Sequence, residues 1–262
     1  MLRTRFAPSP TGYLHIGHAR AAAEAFGWAD VNGAECLLRI EDIDPTRCRA
    51  DYTDAIFEDL RWLGFDWPNM PPHGPVRVQS EHRDDFAKVA EHLAGMGVIY
   101  PCDLSRTDVA ALTEDGIFRG RAVPGPKAPW RLDVRAAREV TGPLAYTDNG
   151  ERVEVDFNTV SDEIVVRRDT YVGEWGTSYF LACTHDDHLQ GITHVVRGED
   201  LREATPVQRI LQALMGWEVP DYIHHPLVME GDRKLSKSDG DTAIRELRAA
   251  GRSAAEVLCR AS

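Results

Sequence analysis

Four residues at opposite ends of the chain have the types and spacing to handle a polyphosphate: His15 and His18 near the start, Lys234 and Lys237 near the end. The histidines are three residues apart, so on a helix they share one face. They follow a strand-like run, Arg3–Phe6, and a break at Pro8, Pro10 and Gly12; a helical pattern then continues through Phe26. A strand, a Pro/Gly turn and a helix N-terminus make an anion-binding corner, because backbone N–H groups and the helix dipole point at one spot. Taken alone, His15-Ile16-Gly17-His18 also fits an ordinary strand–loop–helix turn with one capping histidine. Lys234-Leu235-Ser236-Lys237-Ser238 weighs against that plain reading. The chain has four lysines in all (Lys88, Lys127, Lys234, Lys237), and two of them fall within these five residues.

The elements that must position these groups read as an α/β pattern. Glu35–Ile40 is a buried strand that ends in the acidic run Glu41-Asp42-Ile43-Asp44. Carboxylates just past the carboxyl end of a parallel strand sit where open α/β sheets bind ligands; an exposed acidic loop capping the next helix is the alternative. Asp51–Leu63 has helical spacing and stops at Gly64, and Glu81–Met96 is a helix closed by Gly97. Val98–Tyr100 is a short strand, so strands and helices alternate as in a mostly parallel sheet. From Pro101 the texture changes to a Gly-, Pro- and Arg-rich loop and alternating segments at 152–157 and 163–167, which suggest an α+β insertion. Ser178–Cys183 returns to the first domain, Ile192–Val196 is a strand, and Leu201–Met215 is a helix stopped by Gly216. The expected organisation is a Rossmann-like domain in two halves, 1–100 and 172–232. The insertion occupies 101–171, and 233–262 holds the lysine loop and short C-terminal helices.

Net charge is −12, which argues against broad nonspecific nucleic-acid binding. An RNA ligand would need a local basic face, for which Arg119, Arg121, Lys127 and Arg131, or Arg245, Arg248 and Arg252, are candidates. The five cysteines are scattered and odd in number, which fits a reducing cytoplasm and no disulfide framework. No apolar run is long enough to span a bilayer, and the N-terminus reads as folded core, so no membrane association is expected.

The two motifs together resemble the signature pair of class I aminoacyl-tRNA synthetases. Arg5–Gly12, Arg39–Asp44 and Gly191–Leu201 look like the glutamate-specific branch, and the likeness runs over nearly the whole chain. It implies a Rossmann-like catalytic domain that uses ATP with Mg²⁺ to activate L-glutamate. His15, Gly17 and His18 would then bind ATP and stabilise charge at the α-phosphorus, Lys237 would hold the leaving pyrophosphate with help from Lys234, and Asp200 would contact the nucleotide. Arg5 and Arg197 would take the substrate's side-chain carboxylate, for which a guanidinium fork is better matched than an ammonium. Glu41 would meet its ammonium, with Ala7, Ser9 and Tyr179 completing the pocket. Against these roles stand plainer ones: Arg5 pairing with Glu41 or Asp44, and Tyr179 as a core tyrosine.

In that branch the insertion grips tRNA and often binds zinc through a Cys-x-Cys pair with a later Tyr and Cys. Here Cys102 is kept but Leu104 stands where the second cysteine would be, so no zinc is expected and the insertion must be held by packing alone. Only 24 residues follow Ser238, too few for an anticodon-reading domain. The chain therefore resembles the catalytic-core paralogues, whose members attach glutamate to queuosine in the anticodon of tRNA(Asp), and a monomer is expected. A shortened enzyme charging tRNA(Glu), or a non-catalytic binding paralogue, are the alternatives.

Overall fold

The computed structural model describes residues 1–69, 75–167, 176–227 and 242–260, and the backbone of 229–230, 233–234 and 261. Two compact units emerge: Met1–Ser80 with Gly191–Arg202 and Pro220–Ser262, and Glu81–Gln190 with Glu203–Val219. The expected boundary at 171/172 falls outside the described residues.

The first unit is built on parallel strands. β1 (Arg3–Phe6) leads into α1 (Ile16–Asn32), then β2 (Glu35–Ile40), α2 (Ala50–Trp62) and β3 (Arg77–Val78). β4 (His194–Gly198) and β5 (Asp221–His225) follow, then β6 (Met229–Glu230), β7 (Arg233–Lys234), α3 (Ile244–Ala249) and α4 (Ala254–Ala261). β1 pairs parallel with β2, β2 with β3, and β4 with β5. Thr193, just before β4, donates its N–H to the Arg3 carbonyl at 2.9 Å and accepts the Arg3 N–H at Oγ1, also at 2.9 Å. The strand order is thus β3-β2-β1-β4-β5, a Rossmann-like half-sheet whose helices cross over from one parallel strand to the next.

α1 lies on this sheet by a face of small side chains. Ala19, Ala22 and Ala25 have no exposed surface, and Ala29 is nearly as buried. Their spacing of three to four places them on one helical stripe. The helix stops at Gly33, whose φ of 61° is left-handed; Ala34 N–H then closes the end on the Ala29 carbonyl at 2.8 Å. Phe6, Leu38, Ile40, Ile56, Leu60, Ile244 and Leu247 complete the core.

The second unit is α+β. Strands Ile99–Pro101, Trp130–Leu132 and Ile164–Val166 form an antiparallel sheet with Trp130–Leu132 central. Two hairpins turn on Asp115-Gly116 and Asn149-Gly150, where both residues of each pair have positive φ. That is the geometry Asp-Gly and Asn-Gly favour in two-residue turns. Packing is not alone in holding this unit. Asp162 is buried and accepts hydrogen bonds from the Tyr100 hydroxyl (2.8 Å), Gly120 N–H (3.0 Å) and Val134 N–H (3.2 Å). Arg119 approaches the same carboxylate at 3.6 Å and donates to the Phe157 and Val160 carbonyls. Cys102 is buried in its own backbone bridge with Val123. One thiol does not fit a tetrahedral zinc ion, and among the described residues no three His, Cys, Asp or Glu side chains gather as a metal site would need.

Candidate active site

Arg5, Glu41 and Arg197 occupy the carboxyl ends of three neighbouring strands. Arg5 is one residue short of the end of β1, Glu41 directly follows β2, and Arg197 is one residue short of the end of β4. All three are buried. Interior charge at the carboxyl edge of a parallel sheet is placed where such sheets receive ligands. Glu41 is oriented twice: its N–H donates to the Pro8 carbonyl at 3.2 Å, and its Oε1 accepts from Arg39 Nη2 at 3.0 Å. Arg39 itself has no exposed surface. Asp44 instead binds Thr46 and Arg47 (2.6 and 2.7 Å); the Thr46 hydroxyl contributes most to lowering its carboxyl to about 2. Arg197 donates through Nε to His224 Nε2 at 3.1 Å, and its guanidinium lies 5.2 Å from the Tyr222 ring centre.

The histidine corner follows from the turn after β1. His15 is the N-cap of α1, and its Nδ1 accepts the Gly17 N–H at 3.0 Å. His18 returns the bond, its Nδ1 accepting the His15 N–H at 3.1 Å. The rings sit 3.9 Å apart between centres. Since both Nδ1 atoms accept backbone protons, the hydrogen-bond pattern assigns the neutral imidazoles their proton at Nε2. Each Nε2–H is then a donor suited to a phosphate oxygen. The first turn of α1 carries no acidic residue to offset the positive end of its dipole. Capping and anion binding, which looked like rival readings, use different ring nitrogens and are compatible. Gly17 is required by closeness: a Cβ there would stand 2.9 Å from His15 Cε1.

The other expected residues are less gathered. Ala7 and Ser9 line the turn between β1 and α1, half-buried. Asp200 is exposed and folds its carboxylate over Gly198, where a Cβ would collide with it. Tyr179 belongs to the second unit, at the first position of helix Tyr179–Leu189, and borders a cavity there of about 520 Å³ with Phe118, Arg131 and Glu163. Lys234 is described in backbone only, in β7, and Lys237 lies outside the described residues. Sequence reasoning missed Arg39, Gly198 and His224 as site residues. The first two stand inside the motifs already singled out, whereas His224 had no signal beyond its pairing register opposite Arg197.

Of the basic faces considered, Arg119 and Arg131 are committed inside the second unit, Arg131 to the Asp162 carbonyl at 2.8 Å. Arg248 and Arg252 pair with Glu58 (3.0 Å) and Glu256 (3.5 Å), while Arg121 and Lys127 are exposed.

A parallel sheet, a helix N-terminus capped by two imidazoles and buried guanidinium groups at the strand ends are together the arrangement expected of a class I synthetase catalytic domain. The family model for the catalytic domain of class I tRNA synthetases (E and Q) matches residues 1–122 and 125–258, and the chain belongs to that family, whose members are ligases. It is 40% identical to a glutamyl-Q tRNA(Asp) synthetase of Rhodobacter capsulatus, over 97% of each chain. It is 37% identical to glutamate–tRNA ligase 1 of Dinoroseobacter shibae, over 95% of this chain but 53% of that one. Among solved structures, glutamate-tRNA synthetase from Elizabethkingia anophelis superposes with a TM-score of 0.74 at 29% identity, over 91% of this chain and 53% of that one. The chain thus spans about half the length of the glutamate–tRNA ligases it matches. No described helix is long and apolar enough to cross a membrane.

Proposed function

We propose that this chain activates L-glutamate with ATP and transfers it to queuosine in the anticodon of tRNA(Asp). The glutamate carboxylate attacks the α-phosphorus and pyrophosphate leaves; a queuosine hydroxyl then takes the acyl group and AMP is released. Alignment and charge neutralisation supply most of the catalysis in such a reaction. His15 and His18 donate Nε2–H to phosphate oxygens, and Lys234 and Lys237 neutralise the departing pyrophosphate. Arg5 and Arg197 hold the substrate's side-chain carboxylate; Glu41, fixed by Arg39, faces its ammonium, with Ala7 and Ser9 around them and Asp200 on the nucleotide side. Mg²⁺ bound to the nucleotide would supply counter-charge for its phosphates. The observation that carries this reading is the His15–His18 reciprocal cap at the edge where Arg5 and Arg197 are buried.

The choice of tRNA rests on the relative matched over 97% of both chains. A second reading, charging of tRNA(Glu), is favoured by the relatives matched over about half their length. Labelled glutamate and ATP, supplied with tRNA(Asp) with and without queuosine and with tRNA(Glu), separate the two. Charging of the queuosine-bearing tRNA alone is expected. Charging of tRNA(Glu) selects the second reading, and background ATP–pyrophosphate exchange removes both in favour of a non-catalytic binding role.

A further inference from the structure

We propose that Asp59 and Arg248 are positioning residues for the histidine corner: their ion pair between α2 and α3 sets the backbone against which His15 is held. This rests on the activation chemistry proposed above. His15 is restrained from outside α1 as well as within it. Ala243 forms an antiparallel bridge with His15, and Ile244 N–H donates to the Leu14 carbonyl at 2.8 Å. These two residues open α3, which has only six residues and is too short to be stable by itself. Its placement is therefore decided by what it touches.

The contacts of α3 fall on one face. Ile244 and Leu247 are buried in the core shared with α1. One turn beyond Ile244, Arg248 reaches α2, with Nη2 3.0 Å from Glu58 Oε1 and Nη1 3.7 Å from Asp59 Oδ1. Arg245 lies 4.4 Å over the ring of Tyr13, two residues before His15.

Asp59 is the unusual member. It has no exposed surface, and neither carboxylate oxygen has a hydrogen-bond partner among the described residues. Its neighbours along α2 are the buried Ala55, Ile56 and Leu60, so an aliphatic residue would suit the position. Buried ion pairs are weak sources of stability, and well-packed apolar replacements are often neutral or stabilising. What Asp59 supplies is then geometry: one arginine, one rotation of α3, and through Ala243 and Ile244 one setting of Leu14 and His15.

That separation of geometry from stability is the basis of the test. Glutamate-dependent ATP–pyrophosphate exchange and the thermal unfolding midpoint are measured on the full chain for wild type, Asp59→Leu/Arg248→Met and Arg248→Lys. The double variant is expected to unfold at or above the wild-type midpoint while its kcat/KM for ATP falls about ten- to a hundredfold. Its KM for glutamate stays near wild type, because the carboxylate cradle does not involve α3. Arg248→Lys, which keeps the charge, recovers most of the loss. Wild-type kcat/KM for ATP in the double variant overturns the inference, as does a fall in activity matched by a fall in midpoint. Should the double variant fail to fold, Asp59→Asn is read by the same two measurements. A wild-type chain without exchange removes the activation reading and this inference together; an active wild type with an unaffected variant removes this inference alone.

Discussion

Asp162 and Asp59 are both buried, one in each unit, and their surroundings are opposite. Asp162 receives the Tyr100 hydroxyl and two backbone N–H groups and has Arg119 close by, so strand Ile99–Pro101, the loop at Gly120 and the start of helix Val134–Thr141 meet at one carboxylate. Asp59 has Arg248 at 3.7 Å and no hydrogen-bond donor among the described residues. A buried carboxylate with several donors is a fastening, because each removed donor would be left unsatisfied as well. One with a distant cation and no donors contributes little to holding the fold. The second unit invests its interior charge in itself. The first keeps interior charge at a strand edge and between α2 and α3.

The contrast is most directly broken at Asp162. Asp162→Ala should destabilise the protein by about 3–5 kcal/mol, the usual cost of breaking a buried charged pair, read in urea unfolding. A loss below about 1 kcal/mol would show that packing alone holds the second unit. Next in size is Arg197→Ala, which should lower glutamate-dependent ATP–pyrophosphate exchange by about a hundredfold or more, as expected for removing a fixed charge from a substrate-binding site. Exchange near wild type would take Arg197 out of the pocket.

Asp59 gives a pH signature of similar or smaller size. Burial, the largest influence, pushes its carboxyl from the ordinary 3.8 up to about 6, with Arg248 and Arg245 opposing and Glu58 adding to the rise. Between those values the folded protein keeps a proton that the unfolded chain has released. The group therefore favours folding at low pH, and that contribution is lost as pH rises through about 6. Wild type should lose up to about 3 kcal/mol from this source between pH 4 and 7, and Asp59→Asn should not, by urea unfolding at each pH. Equal pH slopes in the two proteins would mean that Asp59 is not desolvated. The smallest effect is at Gly17. Gly17→Ala adds helix propensity worth up to about 1 kcal/mol, but it pushes the His15 ring off its cap, which costs about the same. Stability should barely change while exchange falls about tenfold, since the ring that moves is the one aimed at phosphate.

Much of the parallel-sheet unit was legible because its signals are local. β1, β2 and α2 follow from apolar period, Pro/Gly breaks and the glycine at 64, and their observed ends differ by at most a residue; α1 runs on to Asn32, six residues past the pattern read through Phe26, and stops at Gly33. β5 was not legible. Asp221-Tyr222-Ile223-His224-His225 carries an aspartate and two histidines, yet His224 and His225 are buried, one of them as the acceptor for Arg197. Tertiary pairing beside β4 overrides its weak local pattern. Helix Val134–Thr141 hid between the Asp133 cap and Gly142 because a Pro-rich loop precedes it, although Asp133 Oδ1 accepts Ala136 N–H as an N-cap should. The hairpin at Asn149-Gly150 carries a strong turn dipeptide just before the alternating segment at 152–157, but alternation by itself does not identify the partner strand Ala145–Asp148. In the site, the strand-end residues could be named from motifs, but Arg39 bonding Glu41 and Ile244 bonding Leu14 are long-range or buried facts that no spacing encodes.

The alanine stripe of α1 has one more consequence. With nothing larger than a methyl group at the fully buried Ala19, Ala22 and Ala25, the helix packs close against the core. A bulkier side chain at any of the three would have no space of its own and could be admitted only by moving the helix. Both imidazoles would travel together and keep their mutual bonds. Evolutionary drift in these three plain positions is thereby yoked to the chemistry at the tip, though none of them can touch a ligand.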